Sequence, residues 1–224
     1  INTKSLILKE VDNSQDVYTK EEQIKLMTYA RKKMNKSVYA RAISLMGRLD
    51  IRMGEVKAMR WSDINWDDKS IYVHDEIVPR KVNGEIKEIS VGHTKSRKKS
   101  GNRYQPLTPQ AIEVLKIQKI KNPDSEFIFV TDKGEVLKTD SLDHALARYC
   151  MACEITYHSS HKLRFFANTE GLNQGASLEQ MQKMSGHETS NMTQHYDRRL
   201  PDVTPAVDAE LWERVADVPE CTLD

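Results

Sequence analysis

The dipeptide Asn83-Gly84 does most to limit what this chain can fold into. Asn-Gly takes the positive φ angles of a two-residue hairpin turn, so it commits its flanks to antiparallel strands. Ile71, Val73 and the apolar run near Ile77 form the approach, and Glu85 to Val91 the return. Gly92 to Asn102 then reads as a basic loop and Tyr104 to Leu107 as a further short strand. Nearly everything else has helical spacing. Thr19 with Glu22 three residues on is a capping box, and Ile24, Met27 and Ala30 carry a stripe towards Met34. Residues 37–48 read as a largely apolar helix, and Glu55 to Arg60 as a short one. Thr108-Pro109 opens the next, with proline at its favoured first position, and Ile112, Leu115 and Ile117 are its apolar members. Phe127 to Val130 reads as a short buried strand. Helices follow over 139–151, over 160–172, around Leu178, Met181 and Met184, at Ser190 to Tyr196, and beyond Pro205 through Val207, Leu211 and Val215. The expected class is mainly α with a small antiparallel β-sheet, an α+β domain over residues 19–200. A linker or edge strand over 1–18 precedes it and a tail helix lies within 201–224.

Charge becomes informative only when it is split along the chain. The total is +1, but residues 197–224 hold eight acids against three bases and carry −5, leaving +6 on residues 1–196. A basic body with an acidic tail suits a polyanion better than the total does. No stretch approaches 18 consecutive apolar residues, so no transmembrane helix is expected, and no secretory signal opens the chain. Cys150, Cys153 and Cys221 are an odd count for a disulfide framework. Cys150-x-x-Cys153 lacks the second pair of a zinc site, so both read as helix thiols, with no metal.

The chemistry-bearing residues gather between His161 and Tyr196: His161, Arg164, His187 and Tyr196. A guanidinium flanked by imidazoles suits a phosphate and the negative charge that develops on it. A phenol with an ordinary pKa of about 10 is a weak nucleophile and needs activation nearby. His161 and Arg164, three apart, share one helix face. Other readings of the same residues stay open. Arg52 and Glu55 could simply cap a helix, His161 could be a core histidine, His187 a helix cap, and Lys95 one member of a solvated basic loop.

Five blocks in order carry a resemblance. They are Ile51-Arg52-Met53-Gly54-Glu55 with Trp61-Ser62-Asp63 after it, Thr94-Lys95-Ser96, His161-Lys162-Leu163-Arg164, Ser185-Gly186-His187, and Tyr196 nine positions further on. Over about residues 19–197 the chain resembles the catalytic domain of the tyrosine recombinases, the phage-integrase family. Three positions depart from the family pattern. Asp50 stands where a glycine is common, Phe165-Phe166 follow the second arginine where a small polar residue is usual, and Ser185 replaces the usual leucine.

The resemblance implies the tyrosine recombinase catalytic-domain fold and site-specific recombination through a covalent 3′-phosphotyrosine. Arg52 and Arg164 would bind the phosphate with Glu55 holding Arg52. Lys95 would protonate the leaving 5′ oxygen, His161 would move or position a proton, His187 would hydrogen-bond the phosphate, and Tyr196 would be the nucleophile. Arg97, Lys98, Lys99 and Arg103 would grip the DNA backbone. The implied partner is double-stranded DNA bearing a specific site. A homo-oligomer, a tetramer joined through the C-terminal tail, would act with accessory DNA-bending proteins in a bacterial cytoplasm. No cofactor is implied. The same residues also fit a type IB topoisomerase-like or telomere-resolvase enzyme, or a silent DNA-binding module. The short stretch before Thr19 leads to the expectation that an N-terminal DNA-clamping domain lies outside these 224 residues.

Overall fold

The computed structural model describes residues 17–95 and 101–187. Seven helices and five strands follow in order: α1 (Lys20–Lys33), α2 (Val38–Met46), α3 (Met53–Ala58), a short 3-10 turn (Trp61–Asp63), β1 (Ile64–Asn65), β2 (Ser70–Val73), β3 (Ile77–Val82), β4 (Glu85–Ser90), β5 (Arg103–Pro106), α4 (Pro109–Lys121), α5 (Thr139–Ala152), α6 (Ser160–Asn173) and α7 (Leu178–Ser185). Residues 1–16, Arg97, Lys98 and Lys99, the segment bearing Tyr196 and the tail helix lie outside the described residues. No helix among the described residues is long and apolar enough to cross a membrane.

Local chemistry sets the helix starts. Thr19 accepts the Glu22 amide while Glu22 Oε2 accepts the Thr19 amide at 2.8 Å, closing the capping box that begins α1. Ser37, Thr108 and Ser177 accept amides of the first turns of α2, α4 and α7. The buried stripe of α1 is rotated from the expected one: Leu26, Met27 and Ala30 face inward, and Ile24 stays 41% exposed. In α4 the innermost residues are Ala111, Val114 and Leu115, with Ile112 and Ile117 at the margin of the core. One continuous apolar cluster joins α1, α2, α4 and α5, with Leu26, Ile43, Leu45, Leu115, Phe129 and Leu146 at its centre. A small satellite of Leu172, Ala176 and Met181 lies where α6 meets α7.

The single sheet expected from sequence is two. Strands β1, β2 and β5 form one antiparallel sheet in that order. Among the described residues, strands β3 and β4 pair only with each other, turning at Asn83 (φ 51°) and Gly84 (φ 86°). Most side chains of this hairpin are exposed, so it is a projecting ribbon with no buried face to extend the sheet. Phe127 to Val130 is not a strand either. Its backbone is satisfied by isolated bridges, Arg60 to Phe127 and Val130 to Val136, and by the Ile128 amide donating to Met59 O at 2.9 Å. Ile128 and Phe129 are still fully buried. Cys150 is a buried free thiol beside the Tyr18 hydroxyl, Cys153 is a half-buried free thiol, and no His/Cys/Asp/Glu cluster among the described residues could hold a metal.

Phe129 sits at the centre of the main cluster, and Phe129→Ala should cost about 3–5 kcal/mol through lost burial and the cavity left behind. Urea denaturation measures it; a loss under about 1 kcal/mol would contradict the packing described.

Candidate active site

Three elements, α3, β5 and α6, converge on one buried carboxylate, Glu55. Arg52 caps α3, and Glu55, one turn on, reaches back to accept the Arg52 amide at 2.8 Å and its Nη1 at 2.8 Å. Arg103 arrives from β5. Strand alternation turns Arg103 and Gln105 inward and Tyr104 and Pro106 outward. Its Nη1 and Nη2 fork onto the two oxygens of Glu55 at 3.1 and 2.9 Å, and Nη2 also donates to Asp50 O at 3.0 Å. Arg103 therefore does not belong with the surface cations of the basic loop; its side chain is buried and spent on Glu55. Arg164 comes from α6 with its Nη1 3.9 Å from Glu55 Oε2. Gly54 lets α3 pack closely on the start of β3, since a Cβ there would sit 3.2 Å from Ile77 O and 3.3 Å from Glu76 Cβ.

Arg164 is completely buried, and most of its guanidinium is committed. Nε lies 2.9 Å from Asp50 Oδ1. Nη2 donates to Ser185 O and lies 3.1 Å from His187 Nε2. A guanidinium has only donors, so His187 Nε2 accepts and the proton of the neutral ring sits on Nδ1. Nη1 has no hydrogen-bond partner among the described residues. A full two-pronged fork is thus not offered by Arg164; one nitrogen is.

The turn at Gly186 brings His187 back to this point. Gly186 is left-handed (φ 61°) at the end of α7, and the His187 amide donates to Gln182 O at 3.1 Å. A side chain at Gly186 would be strained and would meet Gly101 O at 3.1 Å.

Asp50 and Ser185 are the residues that sequence reasoning did not place in the site. Ser185 Oγ bonds the second oxygen of Asp50 and lies 2.7 Å from Asn168 Oδ1, and all three residues are fully buried. The one signal was that both positions depart from the family pattern. Together they form a brace behind Arg164. Phe165 and Phe166, the third departure, are buried on α6.

Arg52, Lys95, His161 and Arg164 line one open cleft of about 250 Å³, with Glu76 and Lys57 on its walls. Lys95 and His161 are exposed at its rim, and Arg52 is half-buried. The buried cluster holds three guanidiniums against the carboxylates of Asp50 and Glu55. The cluster therefore carries an excess of one positive charge before Glu76, Lys57 and Lys95 on the cleft walls are counted. Burial would raise the pKa of Glu55, but Arg103, Arg52 and Arg164 outweigh it and hold it at about 2. The His187 pKa is lowered to about 4 by burial and then by Arg164. The same two causes, with Arg52 and Lys95, bring His161 to about 4, although its rim position leaves more water around it than His187 has. At neutral pH both imidazoles are uncharged. A bound anion would offset the arginines and raise both pKa values. The site can hold an oxyanion, offer neutral imidazoles for proton traffic, and present one mobile ammonium.

These features make a cleft lined by cationic side chains on a helical α+β domain. The Phage integrase family profile matches residues 16–201, and the chain belongs to that family. Tyrosine recombinase XerC of Oceanobacillus iheyensis is 35% identical over 82 residues, which is 36% of this chain and 27% of that protein. XerC of Bacillus subtilis is 31% identical over 115 residues, 46% of this chain and 36% of that one. The chain thus covers well under half the length of either relative. Among solved structures, the Tn1549 transposon integrase in complex with a circular intermediate DNA shares the fold with a TM-score of 0.68. That match covers 84% of this chain and 63% of the integrase at 16% identity.

Two outcomes follow. The folded-state pKa of His187 lies below its unfolded value of 6.5, so the unfolded chain binds more protons between those pH values and stability falls as pH drops from about 6.5 to 4. Glu55, depressed from 4.5 to about 2, extends the loss below pH 4.5. Melting temperature should fall by at least about 3 °C between pH 7 and 5, an effect of about 1 kcal/mol or more, and by less in His187→Asn; an unchanged melt would contradict the burial of His187. Secondly, Asp50→Asn and Ser185→Ala should each destabilise by about 1–3 kcal/mol. In a double-mutant cycle they should couple by at least about 0.5 kcal/mol. Additive losses would show that they do not act as one brace.

Proposed function

We propose that this chain carries the DNA-cleaving and rejoining centre of a site-specific recombinase acting on double-stranded DNA. The observation that carries the reading is the gathering of Arg52, Lys95, His161 and Arg164 around one cleft with excess positive charge. A phosphodiester carries one negative charge, which matches the excess of the buried cluster. Arg52 and the Nη1 of Arg164, a buried nitrogen with no hydrogen-bond partner among the described residues, would bind its non-bridging oxygens. They would stabilise the added charge as phosphorus becomes five-coordinate. His187, with its proton on Nδ1, keeps Arg164 turned to the cleft and would add a donor to the phosphate.

Tyr196, nine residues beyond His187, is the proposed nucleophile. Its oxygen forms a bond to phosphorus as the bond to the 5′ oxygen breaks. The phenolic proton passes to a neutral imidazole, His161 being the one expected, and Lys95 gives a proton to the departing 5′ oxygen. The phosphodiester energy is kept in the tyrosyl ester, so a 5′ hydroxyl from either duplex can reverse the step. Arg97, Lys98 and Lys99 are proposed to contact the DNA backbone. Strand exchange requires several protomers on one DNA assembly, so a homo-oligomer is part of the proposal.

A DNA duplex carrying the junction that flanks this gene, nicked beside the cleavage point, traps a covalent intermediate because the short leaving strand diffuses away. Wild type should form a denaturation-resistant adduct and Tyr196→Phe none. An adduct that persists in Tyr196→Phe would overturn the mechanism. Adduct formation without exchange between two duplexes would assign a topoisomerase-like activity instead.

A further inference from the structure

If Lys95 delivers a proton, something must fix the loop from which it reaches, and Asp75 is placed to do so. Asp75 precedes β3 and is 5% exposed. Its Oδ1 accepts the amides of Glu76 and Gly92, each at 2.8 Å. Its Oδ2 accepts the Ser90 hydroxyl at 2.6 Å and Arg60 Nη2 at 3.0 Å. Ser90 ends β4, and Gly92 begins the loop that reaches Lys95 three residues later. One carboxylate therefore ties the incoming leg of the hairpin to the outgoing one, and the Val91 amide adds a bond to Glu76 O at 3.1 Å.

The clamp is itself anchored to the body of the domain. Arg60 Nε pairs with Glu126 at 3.1 Å, and its guanidinium lies 4.8 Å over the Phe127 ring. Beyond the clamp, Gly92 turns with φ 70° and Thr94 is buried, so the chain is held on both sides of the bend before Lys95 leaves for the cleft. The hairpin alone would not achieve this, since its side chains are mostly exposed and it pairs with no other strand among the described residues.

We propose that Asp75, held by Arg60, is a positioning residue for Lys95: it sets where the chain leaves β4 and so where the ammonium meets the leaving 5′ oxygen. This rests on the reading of Lys95 given above. The alternative is that Asp75 only closes the base of a hairpin. Leaving-group chemistry separates the two. A departing alkoxide comes from an acid about as weak as water, with a pKa of about 15, and needs a proton. A departing thiolate comes from an acid with a pKa of about 8.5 and leaves without one.

The experiment measures the rate of covalent adduct formation by the full chain on the nicked junction duplex, with oxygen or sulfur at the bridging 5′ position. Lys95→Ala serves as reference. Asp75→Asn should slow cleavage of the oxygen substrate at least about 10-fold, within the range a general acid contributes. Like Lys95→Ala, it should return to within a few-fold of wild type on the sulfur substrate. Ser90→Ala, which removes one donor and leaves the fold intact, should show a smaller loss with the same rescue, and it stands in if Asp75→Asn does not fold. A defect equal on both substrates, with Lys95→Ala rescued, would overturn the positioning role and leave the role of Lys95 standing. Full activity of Ser90→Ala and Asp75→Asn on oxygen would also overturn it. Lys95→Ala as fast as wild type on oxygen would sink the reading of Lys95, and this inference with it.

Discussion

The site depends on Glu55. A lone ionised carboxylate in the interior is prohibitive, and a lone buried guanidinium scarcely less so. Here Glu55 receives the fork of Arg103, the head of Arg52 and the flank of Arg164, so each buried charge is the condition for the others. The cluster also joins elements distant in sequence. Arg52 and Glu55 come from the start of α3, Arg103 from the last strand of the sheet, and Arg164 from α6. Folding the helices onto the sheet and assembling an anion site are the same event. The two carboxylates leave one positive charge of the cluster unanswered, a property that would make it a receptor for an anion in the proposed reading and not merely a buried network.

Arg164 shows how that receptor is aimed. Its Nε, facing Asp50, and its Nη2, facing Ser185 and His187, are occupied by the protein, and Nη1 is left. A guanidinium held at two of its three nitrogens by Asp50, Ser185 and His187 cannot swing to follow a ligand, so the ligand must come to it. That suits chemistry in which the reacting phosphorus must be held in line between an attacking and a departing oxygen, where positioning supplies much of the rate.

Much of this was legible in the sequence, and the failures have physical causes. The capping box at Thr19, the Asn83-Gly84 turn and the proline at Pro109 act within a few residues of chain and are present where expected. Arg52, Lys95, His161 and Arg164 were picked out through their motifs, and the structure brings them to one cleft. Arg103 was misplaced because its neighbours in sequence are basic and exposed. Its direction is set by strand alternation, which a four-residue strand barely displays. The strand at Phe127 to Val130 was over-read because complete burial gives a strand-like apolar run whether or not a ladder forms. The Asp50–Ser185 pair was out of reach, since its members are 135 residues apart and each shows along the chain only as a departure from the family pattern. Two deviations that look independent along the chain are one contact in space.

The arrangement divides two needs between two kinds of support. Charge stabilisation works best from groups that do not move, and the arginines are buried, braced and built from helix ends and a sheet strand. In the proposed chemistry the proton donor must reach one oxygen, give it a proton and take that proton back in the reverse step, so it gains from a flexible side chain. A lysine on a loop supplies four rotatable carbons, but reach without a fixed origin spreads the ammonium over a wide volume and lowers its local concentration at the reacting oxygen. On the proposed reading, Asp75 would resolve this by fixing the backbone at Gly92, two residues upstream of Thr94, while leaving Lys95 exposed. The origin is rigid and only the stem moves, which is the least mobility that still lets a proton be given and taken back.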